Sequence, residues 1–391
     1  MSIVIKNPQP IPPPLWNKLT FLRGICAFYV MISHAWYQVW PAAEPPLGYR
    51  KTPEGIILAV TGWLYNGHFA VVVFIVISGY SLGAATMSRK GTFRFFSFMK
   101  RRIRRIVPPY YWAMGFSLMF ALIFSSHTGS QWDISIPVTL FSVIVHIVML
   151  QDIFEPTSIN YTHWSIAVEF QLYMLFPIFL YILLRYNRFF VTLFFSSVII
   201  GIFIILDFNG VKDYTSYIGL ILYFFFGVVS AVYVAHRGYS KLSFKVKTIF
   251  IFSTIAISCI LFVGIIFNDF DKIDRNLFIF DFGVSAVACF LIILSACNST
   301  KIVSANNLIF QTSYNIFLKI GHYSYSLYLV HAPILAVTWL FFNQYGYSEL
   351  AMFIVTLIVG GMLSIILSYL FYLKFEYPYV GPRKIQKNSP R

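Results

Sequence analysis

Residues 135 to 150 read "SIPVTLFSVIVHIVML", and whether this piece crosses a membrane decides the topology of every segment after it. It is apolar enough to enter lipid but short, opens near Pro137, and is flanked by Asp133 and Asp152. Around it lie stretches of about 20 apolar residues, the length a helix needs to span a bilayer. They fall near 19–38, 67–87, 107–125, 162–184, 189–206, 217–235, 248–267, 278–297, 321–343 and 349–373.

Charge decides between the two topologies. If 135–150 does not cross and the N-terminus is cytoplasmic, all but five of the 29 Lys and Arg residues face the cytoplasm. The five are Arg50, Lys51, Lys212, Lys272 and Arg275. If it does cross, later loops invert and the split becomes about even, against the cationic bias of cytoplasmic loops. The expected fold is therefore an all-α integral membrane protein of about ten transmembrane helices. Both termini are cytoplasmic, and 135–150 is re-entrant or interfacial.

Composition agrees. The 391 residues are 58% hydrophobic and 11% charged, with a mean hydropathy of +0.73; a soluble domain would carry about a quarter charged residues. The net charge of +15 follows from the cytoplasmic loops, so no nucleic-acid partner is expected. Cys26, Cys259, Cys289 and Cys297 show no CxxC spacing, which argues against a zinc site or a disulfide framework. No metal is expected. The proline-rich start lacks the features of a cleaved signal peptide. Residues 1–18 read as a cytoplasmic segment, 19–375 as the membrane domain and 376–391 as a basic cytoplasmic tail.

Five stretches put polar chemistry into lipid. In "RGICAFYVMISH", Arg23 and His34 lie eleven residues apart, on one helix face and roughly 16 Å apart along the axis. Arg23 is either a snorkelling anchor or functional, and His34 either a structural hydrogen bonder or a reactive base. "THWSIAVEFQLYMLFP" (162–177) carries Glu169 inside an apolar span, where a carboxylate needs a partner or a cavity; His34 or Arg23 is the natural candidate. "KRRIRRIVPPYYW" (100–112) groups Arg101, Arg102, Arg104 and Arg105 before a Pro-Pro break. Such a cluster is a topogenic signal or a phosphate-binding site for a nucleotide-bearing donor. "GHYSYSLYLVHAPIL" (321–335) holds Ser324, Tyr325, Ser326, Tyr328 and His331, suited to interhelical hydrogen bonds or to a sugar-accepting cavity. "VVVFIVISGYSLG" (71–83) has a Ser78-Gly79 step that allows close helix packing.

Together and in this order, these stretches resemble the membrane-bound acyltransferase 3 family from about Leu19 to Glu376. "LRGICAFYVMISH" matches its opening helix, "FIVISGYSL" its second, "RRIRRIVPPYYW" its arginine motif and "WSIAVEFQLYMLFP" its Trp-Ser element. "YSYSLYLVHAP" and "FEYP" match the closing motifs. Many members carry acidic residues where this chain has Val72 and Phe170, and larger ones add an esterase-like domain that is not expected here.

The resemblance implies transfer of an acetyl group from acetyl-CoA, a substrate rather than a bound cofactor, to a hydroxyl. The acceptor would be a cell-surface polysaccharide or its lipid-linked precursor, and the protein would sit in the inner membrane of a bacterium. His34 would be the general base, oriented by Glu169. Arg23, Arg101, Arg102, Arg104 and Arg105 would hold the donor. Trp164, Ser165, Tyr325, Ser326, Tyr328 and His331 are candidates for the acceptor pocket. A proton-coupled transporter or flippase for a lipid-linked glycan, with His34, Glu169 and His331 as a relay, is the alternative. Its weakness is the lack of evident internal repeats.

Overall fold

A computed structural model describes residues 3–5, 13–41, 51–155, 157–208, 215–237, 277–297 and 308–380. The span expected at 248–267, Cys259 and the tail beyond 380 lie outside the described residues.

Among the described residues, nine helices are long and apolar enough to cross a membrane, and each coincides with an expected span. In chain order, α1 is Pro13–Val39, α2 Gly55–Thr61, α3 His68–Met87, α4 Phe95–Ile123, α5 Leu140–Ile147, α6 Gln151–Phe154 and α7 Trp164–Arg185. They continue with α8 Arg188–Phe208, α9 Thr215–Arg237, α10 Leu277–Cys297, α11 Leu308–His322 and α12 Ser324–Asn343. The last, α13, runs Glu349–Val380 through π-helical turns at Thr356–Gly360 and Tyr372–Glu376. The protein is an all-α, multi-pass integral membrane protein. Its sheet content among the described residues is one antiparallel pair, β1 (Ile3–Ile5) with β2 (Gly91–Phe93).

Three boundaries differ from those expected. Helix α1 starts at Pro13, inside the stretch read as a cytoplasmic segment, because prolines are tolerated in a first turn where the backbone N–H has no partner anyway. Helix α13 continues to Val380, five residues past 375. The largest difference is α4, which begins at Phe95 and passes through Pro108 and Pro109 without breaking. Prolines inside a helix leave carbonyls without their N–H partners, but packed helices can supply others. Here the carbonyls so affected are those of Arg104 and Arg105; one residue further on, the Tyr325 hydroxyl of α12 donates to the Ile106 carbonyl at 2.9 Å and ties this turn to the bundle. The arginine cluster is thus helical surface rather than loop.

The stretch 135–150 does not cross. It holds an eight-residue helix, α5, about 12 Å long, against a hydrocarbon core of about 30 Å. Thr139 caps it, accepting from the Ser142 N–H at 3.0 Å while Ser142 Oγ accepts from the Thr139 N–H at 2.7 Å. The segment turns back into the bundle. Tyr110 and Tyr111 of α4 donate to the carbonyls of His146 and Ile147 at 3.2 and 2.7 Å, about 20 Å below the end of α4 at Ile123. Its apolar face points outward, with Leu140 76% exposed, while Ser142 and His146 are buried. The segment is re-entrant.

Two glycine contacts set how closely the bundle packs. A Cβ on Gly79 of α3 would come 2.2 Å from the Phe224 carbonyl oxygen of α9, and one on Gly227 of α9 would come 2.2 Å from that of Val76. The Ser78-Gly79 step is thus a close backbone crossing, as expected. Helix α11, which no apolar run announced, docks on α1 in the same way through Gly24 and Gly321.

Candidate active site

Helices α1, α3, α4, α7 and α12 enclose a cavity of about 170 Å³. The polar residues facing it recur at helical spacing: Ser165, Glu169 and Tyr173 step four residues at a time along α7, and Tyr325 and Tyr328 share a side of α12. Each helix brings one polar stripe to a common seam and keeps its apolar faces for packing and lipid.

At one end the cavity is cationic. Among the described residues, Arg23, Arg102 and Arg105 line it with a single carboxylate, Glu169. Arg23 Nη2 donates to Ser81 Oγ at 3.2 Å. The Arg102 guanidinium lies 5.6 Å from the Phe98 ring centroid and 5.7 Å from that of Tyr173, a cation–π position. Glu169 Oε1 accepts from Ser78 Oγ at 2.8 Å and from the Tyr173 hydroxyl. Three guanidinium groups around one carboxylate leave a positive surplus, which suits an anionic group.

Farther along the seam stand two histidines. His34 Nδ1 is 2.7 Å from His331 Nε2, with the rings stacked at 5.0 Å and 6°. His331 Nδ1 is 2.9 Å from the Leu327 carbonyl oxygen. A carbonyl only accepts, so His331 Nδ1 carries its hydrogen and, in the neutral ring, Nε2 is the acceptor. His34 must then donate through Nδ1, and its Nε2 keeps a lone pair. His34 is half-buried.

Two tyrosines flank the pair. The Tyr161 ring sits edge-on to His34 at 5.2 Å, and its hydroxyl oxygen accepts from Gln38 Nε2 at 3.3 Å. Tyr328 lies 5.8 Å from His331, and its oxygen accepts from Ser165 Oγ at 2.7 Å. Ser165 is one turn before Glu169, so Glu169, Ser165, Tyr328 and His331 form a polar line from the cationic end to His34.

This geometry redistributes the residues singled out in the sequence. The expected pairing of His34 with Glu169 is not formed: His34 bonds to His331, while Glu169 is taken up by Ser78 and Tyr173. The arginines also divide. Arg102 and Arg105 face the cavity and Arg101 faces a second recess beside it, but exposed Arg104 lines neither. On a helix Arg104 stands about 200° from Arg102.

The six candidates for an acceptor pocket do not gather in one place. Ser165, Tyr325 and Tyr328 line the cavity with the arginines, and His331 joins His34. Trp164 stacks on His68 at 6.0 Å. Ser326 turns away to donate to Glu376 of α13, because it lies on the side of α12 that packs against that helix. Tyr173 and Tyr161 were not singled out. The four-residue step from Glu169 could have signalled Tyr173; nothing local could have signalled Tyr161, which is brought to His34 by the fold of the re-entrant segment.

The fold is thus a membrane bundle with a cationic cavity, and Tyr328 on its wall lies beside the His331–His34 pair. Residues 16–373 match the family described as an acyltransferase domain, acyltransferase 3, and the chain belongs to that family. It is 27% identical over 320 residues to the O-acetyltransferase OatA of Staphylococcus aureus strains NCTC 8325, COL and MRSA252. That alignment covers 77% of this chain and 51% of each relative, so the chain spans about half the length of the curated relatives it matches. No solved structure matches.

Proposed function

We propose that the protein transfers an acetyl group from acetyl-CoA to a hydroxyl of a cell-envelope glycan or its lipid-linked precursor, in the membrane of a bacterium. The observation that carries this reading is the hydrogen bond from His34 Nδ1 to His331 Nε2, at the far end of the seam from an arginine-lined cavity. Arg89, Lys90 and Arg94 lie in the turn that leads directly into the helix bearing Arg102 and Arg105, and this concentration of cations supports a cytoplasmic entry for the donor.

The donor's phosphates meet Arg23, Arg102 and Arg105, and its acyl arm extends along the seam. The rise of α1 separates Arg23 from His34 by roughly 16 Å, the distance that arm has to bridge. A hydroxyl is a weak nucleophile near neutral pH, and His34 Nε2 removes its proton as the oxygen attacks the thioester carbonyl. His331 accepts from Nδ1 and so holds the ring in the tautomer that leaves Nε2 basic, the task a carboxylate performs in hydrolytic triads. The hydroxyl hydrogens of Tyr161 and Tyr328, whose oxygens are already accepting, are placed to donate to the oxyanion of the tetrahedral intermediate. As the carbon–sulfur bond breaks, the proton on His34 passes to the departing thiolate of CoA.

The test is acetylation of the host glycan by His34→Ala, read by NMR of O-acetyl signals in cells lacking any other transferase. Loss of those signals, with the variant present in the membrane at normal levels, is the expected result. Undiminished acetylation rules the mechanism out.

A further inference from the structure

Beside the site cavity, and sharing Leu82, Ala85 and Arg102 with it, lies a second recess of about 360 Å³. The turn between α3 and α4 supplies Arg89, Lys90 and Arg94 to its wall, and among the described residues no carboxylate lines it. Its apolar side includes Phe93 and Phe98, whose rings lie 5.4 Å apart. The antiparallel pair of β1 and β2 borders it, with Ile3 opposite Phe93 and Ile5 opposite Gly91. Ile3 and Ile5 are each 5% exposed, so the N-terminal strand is packed down as one edge of the recess.

An orientation signal needs only cationic residues near a span. It does not need them gathered around a concave surface with an aromatic side and a strand along its rim. The site cavity already holds a net surplus of positive charge, suited to a diphosphate. Arg89, Lys90 and Arg94 add three cations within reach of the same ligand, which fits a separate phosphate monoester with its charge of about −1.5 to −2. Flat aromatic rings beside the cations suit a nucleobase.

We propose that this recess binds the adenosine 3′-phosphate end of the acyl donor, with Arg89, Lys90 and Arg94 on the 3′-phosphate and β1 closing one side. The proposal rests on the acyl-CoA reading given above. It goes further in assigning selection of the donor by its 3′-phosphate to the α3–α4 turn and the N-terminal strand, neither of which belongs to the arginine cluster of α4.

The experiment is calorimetric titration of the purified full chain in detergent with acetyl-CoA and with 3′-dephospho-acetyl-CoA. Charge-assisted bonds to a phosphate should favour acetyl-CoA by about tenfold or more. The double substitution Arg89→Gln/Arg94→Gln changes two exposed residues and should erase that preference while leaving the dephospho donor's affinity unchanged. Removal of residues 1–5 should reduce the preference in the same direction. Equal binding of the two donors by the unsubstituted protein, or a preference that survives the double substitution, overturns the inference and leaves the donor reading standing. Failure of both donors to bind the unsubstituted protein overturns both readings.

Discussion

His34 of α1 and His331 of α12, 297 residues apart in sequence, share a 2.7 Å hydrogen bond between parallel rings. That bond sets which nitrogen of His34 is basic, so the two rings should be separable by substitution. His34→Ala should abolish transfer. His331→Leu should lower kcat by about a hundredfold, the scale of losing an orienting partner, with little change in donor KM. His331→Gln should recover part of that loss, because an amide oxygen can still accept from His34 Nδ1. Equal rates for the Leu and Gln variants would count against the tautomer role.

Glu169 should behave differently. Its carboxylate is held by Ser78 and Tyr173 among the arginines, not by His34. An amide in Glu169→Gln keeps an oxygen that accepts both hydroxyls, so the fold should survive and the change should appear in donor KM. At saturating donor, kcat should stay within a few-fold of the parent, as expected when only ground-state binding changes. A kcat loss matching that of His34→Ala would show that Glu169 acts on the reacting centre.

The α3–α9 crossing should be intolerant of bulk. Gly79→Val or Gly227→Val places carbon atoms where a carbonyl oxygen of the facing helix already lies. The helices must separate, at about 1–3 kcal/mol for an overpacked contact. The measurement is the thermal midpoint in detergent, which should fall for either variant and far less for Gly115→Val, whose Cβ meets nothing within 4 Å.

The re-entrant segment carries its own pH signature. Burial raises the Asp152 carboxyl from its ordinary value of 3.8 to about 6, against the opposing hydrogen bond from Gln171 Nε2 at 2.8 Å. A carboxyl whose pKa is raised on folding binds its proton more tightly in the folded state. Its contribution to stability is therefore highest below the unfolded value, declines as pH rises through about 6, and is level above that. Asp152→Asn should remove this part of the decline. Comparing thermal midpoints of parent and variant between about pH 4 and pH 7, which brackets that decline, should show the parent losing ground to the variant as pH rises toward 6 and no further change above it.

The same segment can be tested topologically. Because 135–150 turns back, Ser126 before it and Thr157 after it belong to one side of the membrane. Ser126→Cys and Thr157→Cys should both react with a membrane-impermeant maleimide added from the same face. Labelling from opposite faces would mean that the segment crosses.

Much of this architecture is legible in the sequence. Apolar run lengths marked nine spans that the described residues contain, because lipid permits only long helices with satisfied backbones. The shortness of 135–150, with Pro137 and the distribution of Lys and Arg, identified it as a piece that does not cross. The order of the polar stretches along the chain, from Arg23 through Glu169 to His331, pointed to the acyltransferase family. Each of these is a property of length, composition or order along the chain, and none depends on which helix lies beside which.

Partnership was not legible, for a physical reason. Whether a buried polar group meets one partner or another depends on the rotation of its helix and on the neighbours the bundle gives it, and both are set by packing over hundreds of residues. By chemistry Glu169 was expected to pair with His34 or Arg23, yet tertiary structure gave His34 to His331 and Glu169 to Ser78 and Tyr173. The same rotation put Arg102 and Arg105 into the cavity, left Arg104 outside it and turned Ser326 toward Glu376. The sequence alone determined a membrane bundle of an acyltransferase family and the inventory of its reactive groups; the tertiary structure decided which of those groups touch, because hydrogen bonds between helices are formed by packing and not by order along the chain.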